Sequence, residues 1–360
     1  MTKKLSVGSM FAGIGGICLA FKQVENVIAW ANENDKHACI TYKYNFPNTK
    51  LFECDVHSLN TNEVPKVDII TAGFPCQAFS IAGYREGFHD KKGRGNLFFQ
   101  TARFIKELKP NAFLLENVRN LSGHDRGNTL RVIRNTIVNE LNYSFIPFIL
   151  NSKDFGNIPQ TRERIYIVGF RNEGKYSIDD KLKLPKILTH YFKIPKPIPL
   201  MKSIHDILFK DKQNDKFYYK ENHKYYPILK NEVRSRDTVY QWRRVYVREN
   251  KNSVCPTLTA NMGTGGHNVP IILDSYGIRK LTPDECLRFQ GFPPEFTFPH
   301  NIAQSHLYKQ AGNSVVVTVV QRIAKEVNRV LFLREEMKLL SFERKNILEK
   351  QINEYNSKNY

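Results

Sequence analysis

A cysteine and a glutamate are the residues of this chain best suited to covalent chemistry. Cys76 stands in the sequence Gly-Phe-Pro-Cys-Gln directly after the apolar run 67–72, and Glu116 follows the apolar run 112–115. Both runs have the composition of a buried strand, and α/β proteins present their reactive groups at the carboxyl ends of parallel strands. We therefore expect a thiol nucleophile and a carboxyl group to converge on one substrate.

The elements that would position these two residues alternate between strand-like and helix-like patterns. Strands are predicted at residues 5–11, 27–31, 67–72, 112–116, 143–150 and 164–170, with one more ahead of Asp55. Helices are predicted to end at Phe21 and to cover residues 35–44, 97–108 and 128–141. This alternation predicts an α/β domain whose mostly parallel sheet is covered by helices on both faces.

The alternation stops near Arg171, and the following hundred or so residues are rich in Lys, Tyr and Pro. We predict a second, smaller and irregular domain there. Helical patterns return at residues 282–290 and 315–333, and the second of these helices is expected to pack on the first domain. The predicted division is 1–172 with 305–335, then 173–278, a hinge at 279–304 and a charged tail at 336–360.

Composition limits the possible partners and compartments of this protein. Its 360 residues carry a net charge of +19, which favours a polyanionic partner, with a solvated lysine-rich surface as the alternative. The six cysteines form no C-x-x-C pair, which argues against a zinc site or a disulfide framework and favours a reducing cytosol. No apolar run reaches the roughly 18 residues of a membrane helix. We expect a cytoplasmic protein without signal peptide, metal or membrane contact.

Polar residues at the ends of the first three strands predict a nucleotide-like cofactor. The turn Phe-Ala-Gly-Ile-Gly-Gly at 11–16 lies between a strand and a helix, where glycines let the backbone approach a ligand. Glu33 follows the second strand and suits two ribose hydroxyls, and Asp55 follows the third and suits an adenine edge. Helix capping or turn solvation is the alternative for either acid. Together these features favour an adenosine-containing cofactor.

Taken in order, the motifs resemble those of the bacterial cytosine-C5 DNA methyltransferases of the type II restriction-modification class. The matching stretches lie at 11–16, 32–33, 55–56, 75–77, 116–118, 160–164, 279–286, 290–293 and 312–315. They span about residues 5–330. The resemblance implies a Rossmann-like fold that binds S-adenosylmethionine, and methyl transfer to C5 of cytosine.

The resemblance also implies a role for each residue near the reacting base. Cys76 would attack C6 of the cytosine, Glu116 would hold the N3/N4 edge, and Arg164 would bind the O2 edge. Arg162 would position the DNA backbone or help to set the environment of the thiolate. The base that removes the C5 proton is left open. For the cofactor pocket, the resemblance implies Phe11, Gly13, Gly15, Glu33, Asp55, Val56, Pro75, Asn313 and Ser314.

DNA contacts are expected in two places, because a base inside a duplex must be flipped out before a thiol can reach it. The segment 80–96 would close over the flipped base, with contacts from Ser80, Arg85 and Arg94. The basic middle region would choose the DNA sequence. Its candidate contacts are Arg234, Arg236, Gln241, Arg243, Arg244 and Gly265. For any single arginine among them, a phosphate contact or a solvated surface position is favoured over base readout.

Double-stranded DNA is the expected partner, and we expect a monomer whose cognate restriction endonuclease forms no stable complex with it. A tRNA cytosine-C5 methyltransferase shares much of the motif set, but the long basic region before Arg279 favours duplex DNA. A non-catalytic DNA-binding relative is the other alternative. It is disfavoured because Cys76, Glu116 and Arg164 are all present.

Overall fold

Two β-sheets organise the part of the chain that the computed structural model describes. The described residues are 4–75, 97–172, 191–243, 245–263, 269–339, 350–351 and 353–354. Their helices are α1 (Gly16–Lys22), α2 (Lys36–Asn45), α3 (Leu97–Leu108), α4 (Asn128–Asn135), α5 (Ser152–Phe155), α6 (Tyr226–Glu232), α7 (Pro283–Phe289), α8 (Gln304–Asn313) and α9 (Val317–Leu339). Helix α4 continues into a π-helical turn at Thr136–Glu140.

The larger sheet has seven strands in the order β3-β2-β1-β4-β5-β7-β6. These are β1 (Ser6–Met10), β2 (Val27–Glu33), β3 (Lys50–Glu53), β4 (Ile69–Ala72), β5 (Ala112–Val118), β6 (Ile146–Asn151) and β7 (Glu163–Phe170). Strand β7 runs antiparallel to both of its neighbours, and the other pairs are parallel. The predicted α/β fold with a mostly parallel sheet is confirmed.

Each face of this sheet has its own hydrophobic core. Along β5, Ala112 and Leu114 belong to one core and Phe113 and Leu115 to the other, as the two-residue period of a strand requires. Helices α1 and α9 cover the first face, and α3 and α4 cover the second. A strand buried on both faces reads as a continuous apolar run, which is why the sequence revealed it.

The smaller sheet contains four antiparallel strands that the sequence analysis did not predict. They are β8 (Tyr240–Arg243), β9 (Tyr246–Glu249), β10 (Ile271–Asp274) and β11 (Gly277–Lys280), in the order β11-β10-β8-β9. Tyr240, Trp242, Val247 and Ile271 form its core with Leu229 of α6. The region is therefore more regular than its lysine-rich and proline-containing sequence had suggested.

A buried ionic cluster connects the smaller sheet to α7. Arg279 of β11 is fully enclosed, and its guanidinium bonds Asp274 at 2.6 Å and Glu285 at 2.7 Å. Glu285 also completes a capping box with Thr282 at the start of α7. Strand β11 crosses the predicted boundary between residues 278 and 279, and the division into domains stays a prediction.

Candidate active site

Antiparallel pairing of β5 with β7 brings Glu116 and Arg164 together. Tyr166 lies opposite Glu116, and Arg164 precedes Tyr166 by two residues, so its side chain shares the face of Glu116. Glu116 Oε1 lies 3.1 Å from Arg164 Nε, and both side chains are mostly buried. Arg164 opens the predicted strand 164–170 and lies near the start of β7 (Glu163–Phe170). It reaches the same edge of the sheet as Glu116, which lies toward the end of β5, because β7 runs in the opposite direction.

The surroundings of Glu116 raise the pKa of its carboxyl group. Burial raises the pKa of the Glu116 carboxyl above its ordinary value, and the charges of Arg164 and Arg162 oppose this rise. A carboxyl group with a raised pKa keeps its proton at higher pH and can serve as a hydrogen-bond donor or general acid. This edge of the sheet therefore holds a potential proton donor beside a guanidinium group.

The segment that leads into Cys76 is fixed against β5. Asn117 Nδ2 donates a hydrogen bond of 2.8 Å to the carbonyl oxygen of Phe74. A Cβ atom added to Gly73 would lie 3.5 Å from Glu116 Oε2. Asn117 was not among the predicted site residues, although it adjoins Glu116 in the Glu-Asn-Val motif. This amide orients the chain two residues before the predicted nucleophile.

Several predicted site residues lie outside the described part of the chain. They are Cys76, Ser80, Arg85, Arg94, Arg244 and Gly265. Their roles stay predictions. Pro75, the last described residue before Cys76, is exposed at the end of the segment that Asn117 holds.

The buried side chain of Arg162 connects the chain just before β7 to two distant backbone segments. Its guanidinium donates hydrogen bonds to the carbonyl oxygens of Leu258 at 2.7 Å, of Gly312 at 3.2 Å, and of Ser314. Burial lowers the pKa of Arg162 to about 9, which leaves the group charged at pH 7. In this arrangement the guanidinium group binds carbonyl oxygens of the chain's own backbone. The two predicted roles of Arg162, positioning the DNA backbone or setting the environment of the thiolate, stay predictions.

The glycine-rich turn after β1 is tied to the end of β2 by Glu33. The Gly13 N–H donates to Glu33 Oε2 at 2.7 Å, and Oε1 accepts from the N–H groups of Asn34 and Asp35. Gly13 and Gly15 have φ values of 56° and 92°, a region that favours glycine. Among the described residues, no atom lies within 4 Å of a Cβ added to Gly13. Glu33 thus stabilises the turn, the alternative considered above, and its ribose contact stays a prediction.

Asp55, Val56 and Phe11 form the next part of the predicted cofactor pocket. Asp55 follows β3 and is 58% exposed; hydrogen bonds from the His57 backbone and ring lower its pKa. Val56 is buried in the core of the second sheet face, and the half-exposed ring of Phe11 packs against that core. A carboxylate and an aromatic ring are therefore both accessible at this edge.

Ser314 supplies a buried hydroxyl with no partner among the described residues. The residue ends α8, and its Oγ lies 2.6 Å from the position of a Cβ added to Gly16, at the start of α1. An unsatisfied buried polar group costs about 1–3 kcal/mol, which a bound ligand would recover. The neighbouring Asn313 is exposed. The open turn and this hydroxyl together fit a polar ligand at the amino end of α1.

A polar cleft of about 730 Å³ lies between the smaller sheet and the segment that carries Arg162 and Arg164. The residues that line it include Thr161, Gln241, Arg243, Arg248, Asn250 and Thr257. Arg248 and Asn250 were missed, because β9 is too short for its alternation to stand out from loop sequence. Arg234 and Arg236 are exposed and do not line this cleft.

The described ranges contain neither a metal-binding cluster nor a membrane-spanning helix. No group of three or more His, Cys, Asp or Glu residues there is arranged to hold a metal ion. None of the helices in those ranges is long and apolar enough to cross a bilayer. The described cysteines, which are Cys18, Cys39, Cys54, Cys255 and Cys286, form no disulfides.

Comparison with known proteins gives one consistent result. The family model "C-5 cytosine-specific DNA methylase" matches residues 5–329. The type II methyltransferase M.Bsp6I of Bacillus sp. (strain RFL6) is 52% identical over 90% of this chain and 98% of its own length. M.HhaI of Haemophilus parahaemolyticus is 37% identical over 89% of this chain and 94% of its own length. The solved structure of a Spodoptera frugiperda DNMT2 mutant has a TM-score of 0.68 at 22% identity and covers 90% of this chain and 100% of its own, a likeness of fold.

Proposed function

The chain belongs to the C-5 cytosine-specific DNA methylase family and uses S-adenosylmethionine to methylate C5 of cytosine in DNA; from this premise we propose that Cys76 carries out the reaction through a covalent bond to C6. The observation that supports this most directly is the contact between Glu116 and Arg164. It lies beside the segment that Asn117 holds just ahead of Cys76.

Cytosine C5 is too weak a nucleophile to attack a methyl sulfonium unaided, so the ring must first be activated. The Cys76 thiolate adds to C6, and the electrons displaced from the C5–C6 double bond move toward N3 and O2. Glu116 protonates N3, which its raised pKa favours. Arg164 stabilises the charge that develops on O2. C5 takes up the methyl group as the bond between that group and the sulfonium sulfur breaks. A base then removes the C5 proton, the C6–S bond breaks to expel the thiolate, and N3 returns its proton to Glu116.

The residues around the first helix fit S-adenosylmethionine, which supplies the methyl group when bound. The open space at Gly13 and the unpartnered hydroxyl of Ser314 would receive its amino-acid part at the amino end of α1. The accessible carboxylate of Asp55 and the ring of Phe11 would receive the adenosine. Glu33 would orient the ribose from the base of the turn.

In this proposal, the smaller sheet and its cleft recognise the DNA sequence. We take residues 173–278 as the target-recognition domain and 1–172 with 305–335 as the catalytic domain. The cleft joins them at Thr161, which lies between Gln160 and Arg162 in the catalytic motif. The target cytosine must leave the stack to reach Cys76.

A methylation assay tests this function. The purified protein is incubated with tritiated S-adenosylmethionine and either plasmid DNA or tRNA, and the plasmid is then sequenced after bisulfite treatment. We expect label in the plasmid alone, on cytosines of one short sequence. Label in tRNA, or label in DNA at adenine, would contradict the proposal.

We further propose that the enzyme acts as a cytoplasmic monomer that protects host DNA in a restriction-modification system. Its support is the similarity to type II methyltransferases of bacteria. Light scattering should give a mass near 41.9 kDa. Plasmid methylated in vivo should resist one endonuclease of matching specificity, and co-purification should capture no such endonuclease. A dimer mass would contradict the proposed monomer, and a captured endonuclease would contradict the absence of a stable complex.

A further inference from the structure

The β8–β9 hairpin has one apolar and one polar face. Tyr240, Trp242 and Val247 point into the core of the smaller sheet. Gln241 and Arg243 alternate with them and therefore lie on the opposite face. Arg248 is paired directly across from Gln241 and shares that polar face.

Buried Gln241 aligns the two exposed arginines. Its Oε1 accepts hydrogen bonds from Arg243 Nη2 at 3.1 Å and from Arg248 Nη2 at 2.7 Å. Gln241 is only 7% exposed, so its amide is a fixed point, whereas both arginines reach solvent. Within the described part of the chain, both guanidinium groups bond through Nη2 alone. Each therefore retains donors on Nη1 and Nε.

Two guanidinium groups that share one acceptor repel each other, so this arrangement favours an acceptor-rich ligand. The cleft that they line also contains Lys251, while Glu249 is its one acidic residue among the described residues. On its far side lies Thr161, whose carbonyl accepts a hydrogen bond from Thr257 Oγ1 at 2.5 Å. The polar face of the hairpin and the catalytic segment thus line the same cleft.

We propose that Arg243 and Arg248, aligned by Gln241, read guanine edges in the major groove of the substrate DNA. This inference rests on the proposed function. Guanine presents two acceptors, O6 and N7, which match two parallel N–H groups of one guanidinium. Arginines held by a buried amide are oriented before DNA binds, as base readout requires, whereas phosphate contacts need only charge. The recognition sequence therefore contains guanine at the positions that these arginines face.

The test compares the sites that the wild type and the variants methylate in a duplex library with random sequence around cytosine. The wild type defines the recognition sequence and must show DNA methylation for the comparison to proceed. Arg248→Lys and Arg243→Lys keep the charge but lose the paired donors. Each should lose about 10- to 100-fold discrimination at one guanine position and keep it elsewhere. Gln241→Leu should weaken discrimination at the same positions, because the arginines lose their common acceptor.

Arg131→Lys is the matched control, since Arg131 is exposed on α4 and also bonds an amide oxygen, that of Asn128. Its site profile should equal that of the wild type. Uniform slowing at all sequences, with no change in sequence preference, would identify phosphate contacts and overturn the inference. An unchanged profile in both lysine variants would also overturn it, while the methylation by the wild type would leave the proposed function intact. Thermal denaturation of each variant separates these outcomes from unfolding.

Discussion

Glu116 Oε1 lies 3.1 Å from Arg164 Nε, across the antiparallel pair formed by β5 and β7. The two side chains thus satisfy each other at this edge of the sheet. A flipped cytosine presents N3 and O2 on one edge. In the proposed reaction, Glu116 binds N3 and Arg164 binds O2 on that edge. The contact also keeps a buried carboxyl beside a compensating charge until the base arrives.

Glu116→Gln should lower kcat by about 100- to 10,000-fold, because glutamine keeps the shape of the side chain but has no proton to transfer. The pKa of Glu116 is raised, so its protonated form persists to higher pH and is lost as pH rises through that pKa. The kcat/KM of the wild type should therefore fall on this alkaline side. Glu116→Gln should lose the alkaline fall.

Glu163→Gln is the control for this measurement. Glu163 is the neighbouring carboxylate, and it pairs with Arg119 at the surface. Its variant should keep both the rate and the shape of the pH profile. An alkaline fall that survives in Glu116→Gln would assign that ionisation to another group.

Ser314→Ala should weaken the binding of S-adenosylmethionine by roughly 2- to 10-fold, the equivalent of one neutral hydrogen bond. The cofactor-free protein should be at least as stable as the wild type, because the buried hydroxyl has no partner among the described residues. Isothermal titration calorimetry and urea denaturation measure the two quantities. Ser305→Ala, at an exposed position of α8, should change neither. A loss of stability with unchanged affinity would make Ser314 a structural residue.

Arg162→Met should lower the free energy of unfolding by about 2–5 kcal/mol, because three buried carbonyl groups lose their donor. The hydrogen bonds to Leu258 and Gly312 join distant parts of the chain, so their loss should destabilise the whole catalytic fold. Arg119→Ala removes an arginine whose ion pair is exposed, and it should cost less than about 1 kcal/mol. Urea denaturation compares the two variants. Equal losses would show that the buried contacts of Arg162 contribute little.

The strands and turns of the catalytic domain were predictable because each reports a local physical requirement. Buried parallel strands leave unbroken apolar runs, as at 112–115, and helix α3 was predicted with the bounds Leu97–Leu108 that the structure has. The glycine turn was visible because its backbone needs positive φ at Gly13 and Gly15. The order of the motifs then identified the family.

Features that depend on distant pairing were not predictable. The direction of β7 follows from its neighbours in the sheet, and nothing near Arg164 indicates it. The burial of Arg162 arises from Leu258 and Ser314, which lie far away in sequence. The smaller sheet was not predicted, because its four-residue strands are too short for a period-two pattern to stand out from loop sequence.

The central claim is that Cys76 forms a covalent bond to C6 of cytosine during methyl transfer, and substrate trapping tests it directly. Duplex DNA in which 5-fluorocytosine replaces cytosine is incubated with S-adenosylmethionine and the enzyme. Fluorine does not leave as a cation, so the thiolate cannot be expelled after the methyl group is transferred. A protein–DNA complex that survives denaturing electrophoresis should accumulate with the wild type and be absent with Cys76→Ala. No trapped complex with the wild type, or equal trapping with Cys76→Ala, would contradict the mechanism.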